Sequence, residues 1–296
     1  SAGLLIRRSL VRAQVEEPKS KAQQVLVGLF LFLWFARSKA DSMTANRSES
    51  SLAWLEPGDD FPPVSTAWGP QSPAPGLLAA GGALDVTTLC QAYREGIFPW
   101  YSTGQPILWW STDPRMVLHT AHFRLAPSLR KQIRSLIKQN RLEIRFDGHF
   151  SQVIHHCAST PRHGQSGTWI IPDMVRAYMA LHAAGHAHCV ETWLDGQLVG
   201  GLYAVNIGRM VYGESMFSHV SNASKIALCA LVAFCRTQHM PLIDCQQETP
   251  HLASLGANPV ARTDFLREVQ QLTIQPSPHW AFAPTHWDSV LTHRLP

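Results

Sequence analysis

The chain has 296 residues, 45% hydrophobic and 16% charged, with a formal net charge of +4. That is enough apolar material for one large core or two modest ones. The charge is too mild for a globally basic nucleic-acid binder, so any nucleic-acid contact must come from a local patch. The six cysteines (Cys90, Cys157, Cys189, Cys229, Cys235, Cys245) lie in apolar segments without a C-x-x-C pair, which argues against a disulfide framework or a zinc site and fits reduced thiols in a cytoplasmic protein.

Val25 to Ala36 (VLVGLFLFLWFA) is the first distinctive segment. Its twelve apolar or small residues are too few for a membrane span of about 20 and are closer to a signal-peptide core. The run lies far from residue 1, and Met43 follows it with an ordinary polar lead. Residues 1–48 therefore read as a non-native or disordered extension, ahead of a genuine tail and, third, an anchor; no stable membrane association is expected.

From Pro57 to Pro75 the chain is rich in Pro, Gly, Ser and Asp, an irregular lead-in after which ordered structure is expected to begin. Asp85 offers an N-cap for a helix through Glu95 that ends at Gly96. Ile97 to Arg115 holds three tryptophans and three prolines, which exclude a regular helix or central strand and predict a rigid aromatic loop-and-strand unit. Tryptophans are core residues by default. Trp100 and Trp169, in loops bounded by Pro or Gly, have the alternative of stacking on a nucleobase.

Arg124 to Arg145 carries seven basic residues against Glu143 alone. Arg130, Arg134, Lys138 and Arg141 recur at helical spacing as one stripe, with Lys131 beside it, while Leu129, Ile133, Leu136 and Ile137 line the other face. Such a stripe is either a solvated helix face or a ridge that touches phosphates. Next come a helix from Met174 to about Ala184, a strand from Ala187 to Leu194, an Asp195-Gly196 hairpin turn and a strand to Val205. A turn at Asn206-Ile207-Gly208 leads to Arg209 to Tyr212, and Ala223 to His239 is an all-round apolar core helix, capped by Ser221 or Asn222. Met240 to Cys245 is a short buried strand, parallel to its predecessor by connectivity.

Gly213-Glu214-Ser215-Met216-Phe217-Ser218 stands out because it places a carboxylate at what reads as a strand-to-helix corner in apolar surroundings. On the strand Leu242 to Gln246, period-two alternation puts Asp244 and Gln246 on one face and Ile243 and Cys245 on the other. Strand-helix-strand topology can bring that polar pair beside Glu214. The cluster is either a functional site or a satisfied buried network that specifies packing. His182 and His186 have helical i,i+4 spacing, but Gly185 breaks that helix and no acidic ligand accompanies them, so the histidines read as structural or surface residues. No nucleophile elbow and no Walker or Rossmann glycine loop is present.

Taken in order, these segments resemble the leucyl/phenylalanyl-tRNA protein transferases of the bacterial N-end rule pathway. The resemblance runs over roughly residues 57–290. It is carried by Gly96-Ile97-Phe98-Pro99-Trp100, Pro106 to Arg115 (PILWWSTDPR), Gly167-Thr168-Trp169-Ile170, Val199-Gly200-Gly201-Leu202-Tyr203, Gly213 to Ser218 and Leu242-Ile243-Asp244-Cys245-Gln246. It implies an α+β protein, with a small N-terminal α/β domain (49–120, holding the aromatic loop) and a GCN5-related acetyltransferase-like (GNAT) catalytic domain (121–290). The implied reaction passes Leu, Phe or Met from aminoacyl-tRNA to the α-amino group of proteins beginning with Lys or Arg. The implied partners are leucyl-tRNA, phenylalanyl-tRNA and those proteins, with no DNA; the implied enzyme is a monomer without metal or cofactor, aminoacyl-tRNA being its co-substrate.

By the same resemblance Asp244 polarises Gln246 to activate the amine, and Glu214 recognises substrate. Trp100 and Trp169 contact the aminoacyl-adenosine end with Ser215. Met216, Phe217, Leu228 and Leu231 wall an apolar pocket, and Arg130, Lys131, Arg134, Lys138 and Arg141 lie under the acceptor stem. The chain departs from the family pattern at Ala83, where aspartate is usual, and at Leu231, where some members carry phenylalanine. Two rivals stand beside this reading. An acetyl-CoA-dependent N-acetyltransferase needs a glycine-bearing pyrophosphate loop, and Ser218 to Ser224 (SHVSNAS) has no glycine. A non-catalytic RNA-binding module would use the basic helix and the tryptophans alone.

Overall fold

The computed structural model describes residues 52–160 and 170–292, so the apolar run at Val25 to Ala36, the whole 1–48 extension and Trp169 lie outside the described residues. The chain passes back and forth between two units. Among the described residues the smaller comprises 52–83, 97–113 and 170–171, and the larger 84–96, 114–160 and 172–292.

In the smaller unit β1 (Ala53–Leu55), β2 (Leu77–Gly81), β3 (Phe98–Pro99) and β4 (Leu108–Trp110) form a sheet in the order β1-β2-β4-β3. Strand β1 pairs parallel with β2, so ordered structure begins before the Pro/Gly-rich lead-in, not after it; three residues are too few to show a pattern. Pro99 lies in the edge strand β3, where a missing N–H leaves least unpaired. Trp109 is fully buried, donates its indole N–H to the Gly81 carbonyl at 2.9 Å and meets the Phe61 ring edge-on at 4.8 Å.

The larger unit is a mixed sheet in the order β11-β5-β10-β9-β8-β7-β6. Its strands are β5 (Arg115–His119), β6 (Leu142–Phe146), β7 (Ala187–Leu194), β8 (Gln197–Ile207), β9 (Met210–Ser218), β10 (Leu242–Gln246) and β11 (Asn258–Val260). Its helices are α1 (Val86–Arg94), α2 (Pro127–Lys138), α3 (Phe150–Ser159), α4 (Pro172–Ala183), α5 (Ala223–Thr237), α6 (Pro250–Ser254), α7 (Arg262–Thr273) and α8 (Asp288–Leu291). Strand β10 runs parallel to β9, as the intervening helix requires, and the other neighbours in this sheet are antiparallel.

Local chemistry explains several of these elements. The Asp85 carboxylate accepts the Thr88 N–H at 3.0 Å and starts α1. Asp195 and Gly196 both take positive φ, +52° and +79°, matching the twist of the β7-β8 hairpin they close. Every residue from Ile226 to Cys235 of α5 is buried, the helix packing on β7, β8 and β9. That approach needs Gly200, because a Cβ there would sit 2.5 Å from the Ala223 Cβ.

Two expectations change. Strand β8 continues to Ile207, so the turn falls at Gly208-Arg209. Asn222 does not cap α5 with its side chain, which donates instead to Gln132 Oε1 at 2.9 Å, while Ser218 Oγ accepts the Ser224 N–H at 3.3 Å. Among the described residues no helix is long and apolar enough to cross a membrane.

Candidate active site

Glu214 lies within β9, not at a strand-to-helix corner. In the β8-β9 register Ala204 faces Gly213 and Tyr203 faces Ser215, which makes Glu214 the extra residue of a β-bulge. The bulge resets the alternation of the strand. Val211 and Met216, an odd number of residues apart, both pack with the same apolar cluster, whereas strict alternation would send them to opposite faces. A second irregularity faces it on β10, where Asp244 pairs with Val117 and Gln246 with Met116, leaving Cys245 as the added residue and Gln246 at φ +55°. Parallel pairing of β9 with β10 reaches Asp244 and Tyr212; Glu214 and Gln246 stand just beyond that rung.

Three groups converge on the Glu214 carboxylate. The Tyr93 hydroxyl, from α1, donates to Oε1 at 2.7 Å, and the Tyr178 hydroxyl, from α4, donates to Oε2 at 3.0 Å. The two hydroxyl oxygens are 2.6 Å apart. From β10 the Gln246 amide donates to Oε1 at 3.4 Å. Tyr212 anchors α1 by donating to the Tyr93 carbonyl at 2.6 Å.

Asp244 is placed differently. It is fully buried, its two oxygens accept from Arg115 Nε at 2.8 Å and Nη2 at 2.7 Å, and the Gln246 backbone N–H donates to Oδ1 at 2.9 Å. Arg115 is equally buried and lies over the Phe265 ring at 4.7 Å. Asp244 thus acts on Gln246 through the main chain, holding the left-handed turn that presents its amide.

Charge follows from this placement. Glu214 is half-buried as a residue, and its carboxylate is enclosed by the groups that bond to it. Burial pushes its pKa up to about 7, against the two tyrosine hydrogen bonds, which favour the ionised form; the nearby Asp244 charge raises it further and Arg115 opposes that. Burial, with the Glu214 charge, holds both phenols well above the ordinary tyrosine range. Burial likewise raises the Cys245 thiol and keeps it neutral, so it is no nucleophile.

The other residues singled out in the sequence are dispersed around this cluster and beyond it. Ser215 is half-buried opposite Tyr203. Leu228 and Leu231 are buried in the apolar cluster against which Met216 packs. Phe217 is instead buried against the rings of His156 and His219, at 4.8 and 5.0 Å. Trp100 belongs to the smaller unit, half-buried, with Trp110 donating its indole N–H to the Trp100 carbonyl at 2.7 Å and the rings 5.5 Å apart. On α2, Arg134 and Arg130 donate to the Leu291 carbonyl at 2.5 and 3.4 Å. Arg141 lies past the end of the helix and pairs with Asp195 at 2.6 Å, so it does not extend the stripe. Lys131 and Lys138 are exposed.

Tyr93, Tyr178 and the Arg115 partnership were missed in the sequence. A signal existed for Tyr93, which falls one helical turn after Leu89 on the apolar face of α1, where a buried phenol requires a hydrogen-bond partner.

A half-buried glutamate with raised proton affinity, beside an amide in a mixed α/β unit, is the kind of group that collects at enzyme sites. Comparison with known proteins makes that class particular. The leucyl/phenylalanyl-tRNA protein transferase profile matches residues 117–270, and that of the family's N-terminal domain matches residues 82–113. The leucyl/phenylalanyl-tRNA–protein transferase of Polaromonas sp. (strain JS666) is 59% identical over 83% of this chain and 96% of that protein. Those of Albidiferax ferrireducens and Leptothrix cholodnii are 58% and 57% identical, over 81% and 80% of this chain and 95% and 94% of theirs. The chain belongs to the leucyl/phenylalanyl-tRNA protein transferase family. A solved structure of L-PGS from Bacillus licheniformis aligns over 60% of this chain and 57% of its own at 10% identity, with a TM-score of 0.31.

Proposed function

We propose that this enzyme transfers leucyl, phenylalanyl or methionyl groups from aminoacyl-tRNA to the α-amino group of proteins beginning with Lys or Arg, as a cytoplasmic monomer marking them for N-end rule degradation. The observation that carries the reading is family membership over most of the chain, joined to a cluster in which Glu214, Gln246 and Asp244 are hydrogen-bonded. The mixed sheet, with its single β9-β10 parallel pair among antiparallel neighbours, supports a GNAT-like arrangement of the larger unit.

The chemistry needs two substrates and neither metal nor cofactor. The amine must lose a proton before it attacks the ester carbonyl, and the oxyanion then formed must be stabilised. Gln246 is suited to position the reacting groups through its amide, with Asp244 fixing its backbone. Met216, Leu228 and Leu231 supply apolar surface for a Leu or Phe side chain, with Phe217 and Ser215 adjoining along β9. Trp100 and Trp169 are assigned to the aminoacyl-adenosine end. Arg130, Lys131, Arg134, Lys138 and Arg141 are assigned to tRNA phosphates, with Lys131 and Lys138 the exposed members outside the carbonyl and carboxylate pairings of the three arginines.

The test is incubation with labelled leucyl-tRNA and a protein that starts with Arg. Ribonuclease-resistant label at that protein's N-terminus is expected. Labelling from acetyl-CoA instead, with none from leucyl-tRNA, overturns the reading.

A further inference from the structure

Glu214 and two phenols form a closed ring of short oxygen-oxygen contacts. Tyr93 Oη lies 2.7 Å from Glu214 Oε1, Tyr178 Oη lies 3.0 Å from Oε2, and the hydroxyl oxygens lie 2.6 Å from one another. Three such contacts need three hydrogens. With Glu214 ionised the two phenols supply two, so one contact lacks a shared proton. With Glu214 protonated the ring closes: its carboxyl donates to Tyr178, Tyr178 donates to Tyr93, and Tyr93 donates back to Oε1. Protonation therefore completes the ring, the added proton filling the one contact that the ionised state leaves without a hydrogen.

Among the described residues no other nearby acid offers this. Asp244 is fully buried, and its oxygens already accept from Arg115 and from the Gln246 N–H. The groups facing Glu214 from adjoining elements are Tyr93 on α1, Tyr178 on α4 and Gln246 on β10, with the mutually paired Arg115 and Asp244 behind them. Tyr203 on β8 packs edge-on against the Tyr178 ring at 5.3 Å. Glu214, unlike Asp244, is not fully buried.

Resting on the aminoacyl transfer proposed above, we infer that Glu214 accepts the proton of the attacking amine, and that Tyr93 and Tyr178 are positioning residues that hold its carboxylate for that step and close around the proton once it arrives. The ammonium of the acceptor protein gives one proton to Glu214 and becomes a neutral amine. The amine nitrogen bonds to the ester carbonyl carbon. The tetrahedral adduct then breaks its bond to the ribose oxygen, which leaves with the second amine proton as the free hydroxyl of tRNA. The Glu214 proton returns to solvent.

Single-turnover transfer at saturating leucyl-tRNA, followed against pH, tests this. Wild-type transfer should rise through an inflection near pH 7. Glu214→Gln should lose about 10²- to 10⁴-fold in rate, as expected for loss of a general base, and lose the inflection, a loss that raising either substrate to saturation does not restore. Tyr93→Phe and Tyr178→Phe each remove a donor to the ionised carboxylate, so the inflection moves to higher pH: transfer is slowed at pH 7 and recovers at higher pH, which a packing defect would not do. The inference is overturned if Glu214→Gln transfers at the wild-type rate with the same inflection, if its only loss is in substrate affinity, or if the tyrosine variants leave the inflection in place. A wild-type protein that transfers nothing at any pH overturns the functional reading itself.

Discussion

Glu214 and Asp244 are two carboxylates of one cluster that the fold treats in opposite ways. The first has hydroxyl partners and a pKa lifted by burial to about 7 from an ordinary 4.5. The native state therefore holds a proton on Glu214 between these values that the unfolded chain releases, so this group's contribution to stability is full below pH 4.5 and is lost as pH rises to 7. Glu214→Gln has no such proton. Measured by urea unfolding from about pH 4.5 to 8, the stability of wild type relative to this variant should fall by up to about 1.4 kcal/mol per pH unit across the window and then level off. Asp244, by contrast, depends on the Arg115 fork. Replacing Arg115 by Met strands a buried charge and should cost about 3–5 kcal/mol in urea unfolding, part of which Asp244→Asn in the same chain restores.

At the scale of elements, the parts legible in the sequence were those whose causes are local. Asp85 capping α1, Asp195-Gly196 closing β7-β8 and the continuous apolar surface of α5 are each written within a few neighbouring residues. What could not be read was set by partners far away. Glu214 meets Tyr93 and Tyr178 across 121 and 36 residues of chain, and both bulges arise from registers with neighbouring strands that no single strand encodes. The apparent corner at Gly213 was such a bulge, a break in period two that resembles a strand end when its partner is unknown. The contact between β8 and α5 allows a test at this scale. Gly200→Ala puts a methyl 2.5 Å from the Ala223 Cβ and 2.8 Å from its carbonyl carbon, so α5 must shift. The expected loss is about 1–3 kcal/mol by urea unfolding. Gly69→Ala, with open space around its Cβ and no positive φ, should leave the midpoint unchanged.

Across the whole molecule a net charge of +4 cannot by itself hold an RNA, so affinity must be concentrated where cations are both clustered and uncommitted. The basic stripe of α2 divides on this criterion. Arg130 and Arg134 reach the Leu291 carbonyl at the end of α8, satisfying a terminal acceptor and tying the C-terminal segment to α2, and Arg141 is paired with Asp195. Lys131 and Lys138 project from the helix into solvent. These two groups should separate experimentally. Replacing Lys131 and Lys138 together by Ala should weaken leucyl-tRNA binding and flatten its dependence on log salt by about 0.9 for each phosphate that is no longer neutralised, with urea stability intact. Arg134→Ala should show the opposite balance, lowering stability through the loss of its bond to the Leu291 carbonyl and flattening the salt slope less than the double lysine variant does. If both variants instead leave the slope unchanged, tRNA is gripped elsewhere and α2 is a solvated face whose arginines serve the fold alone.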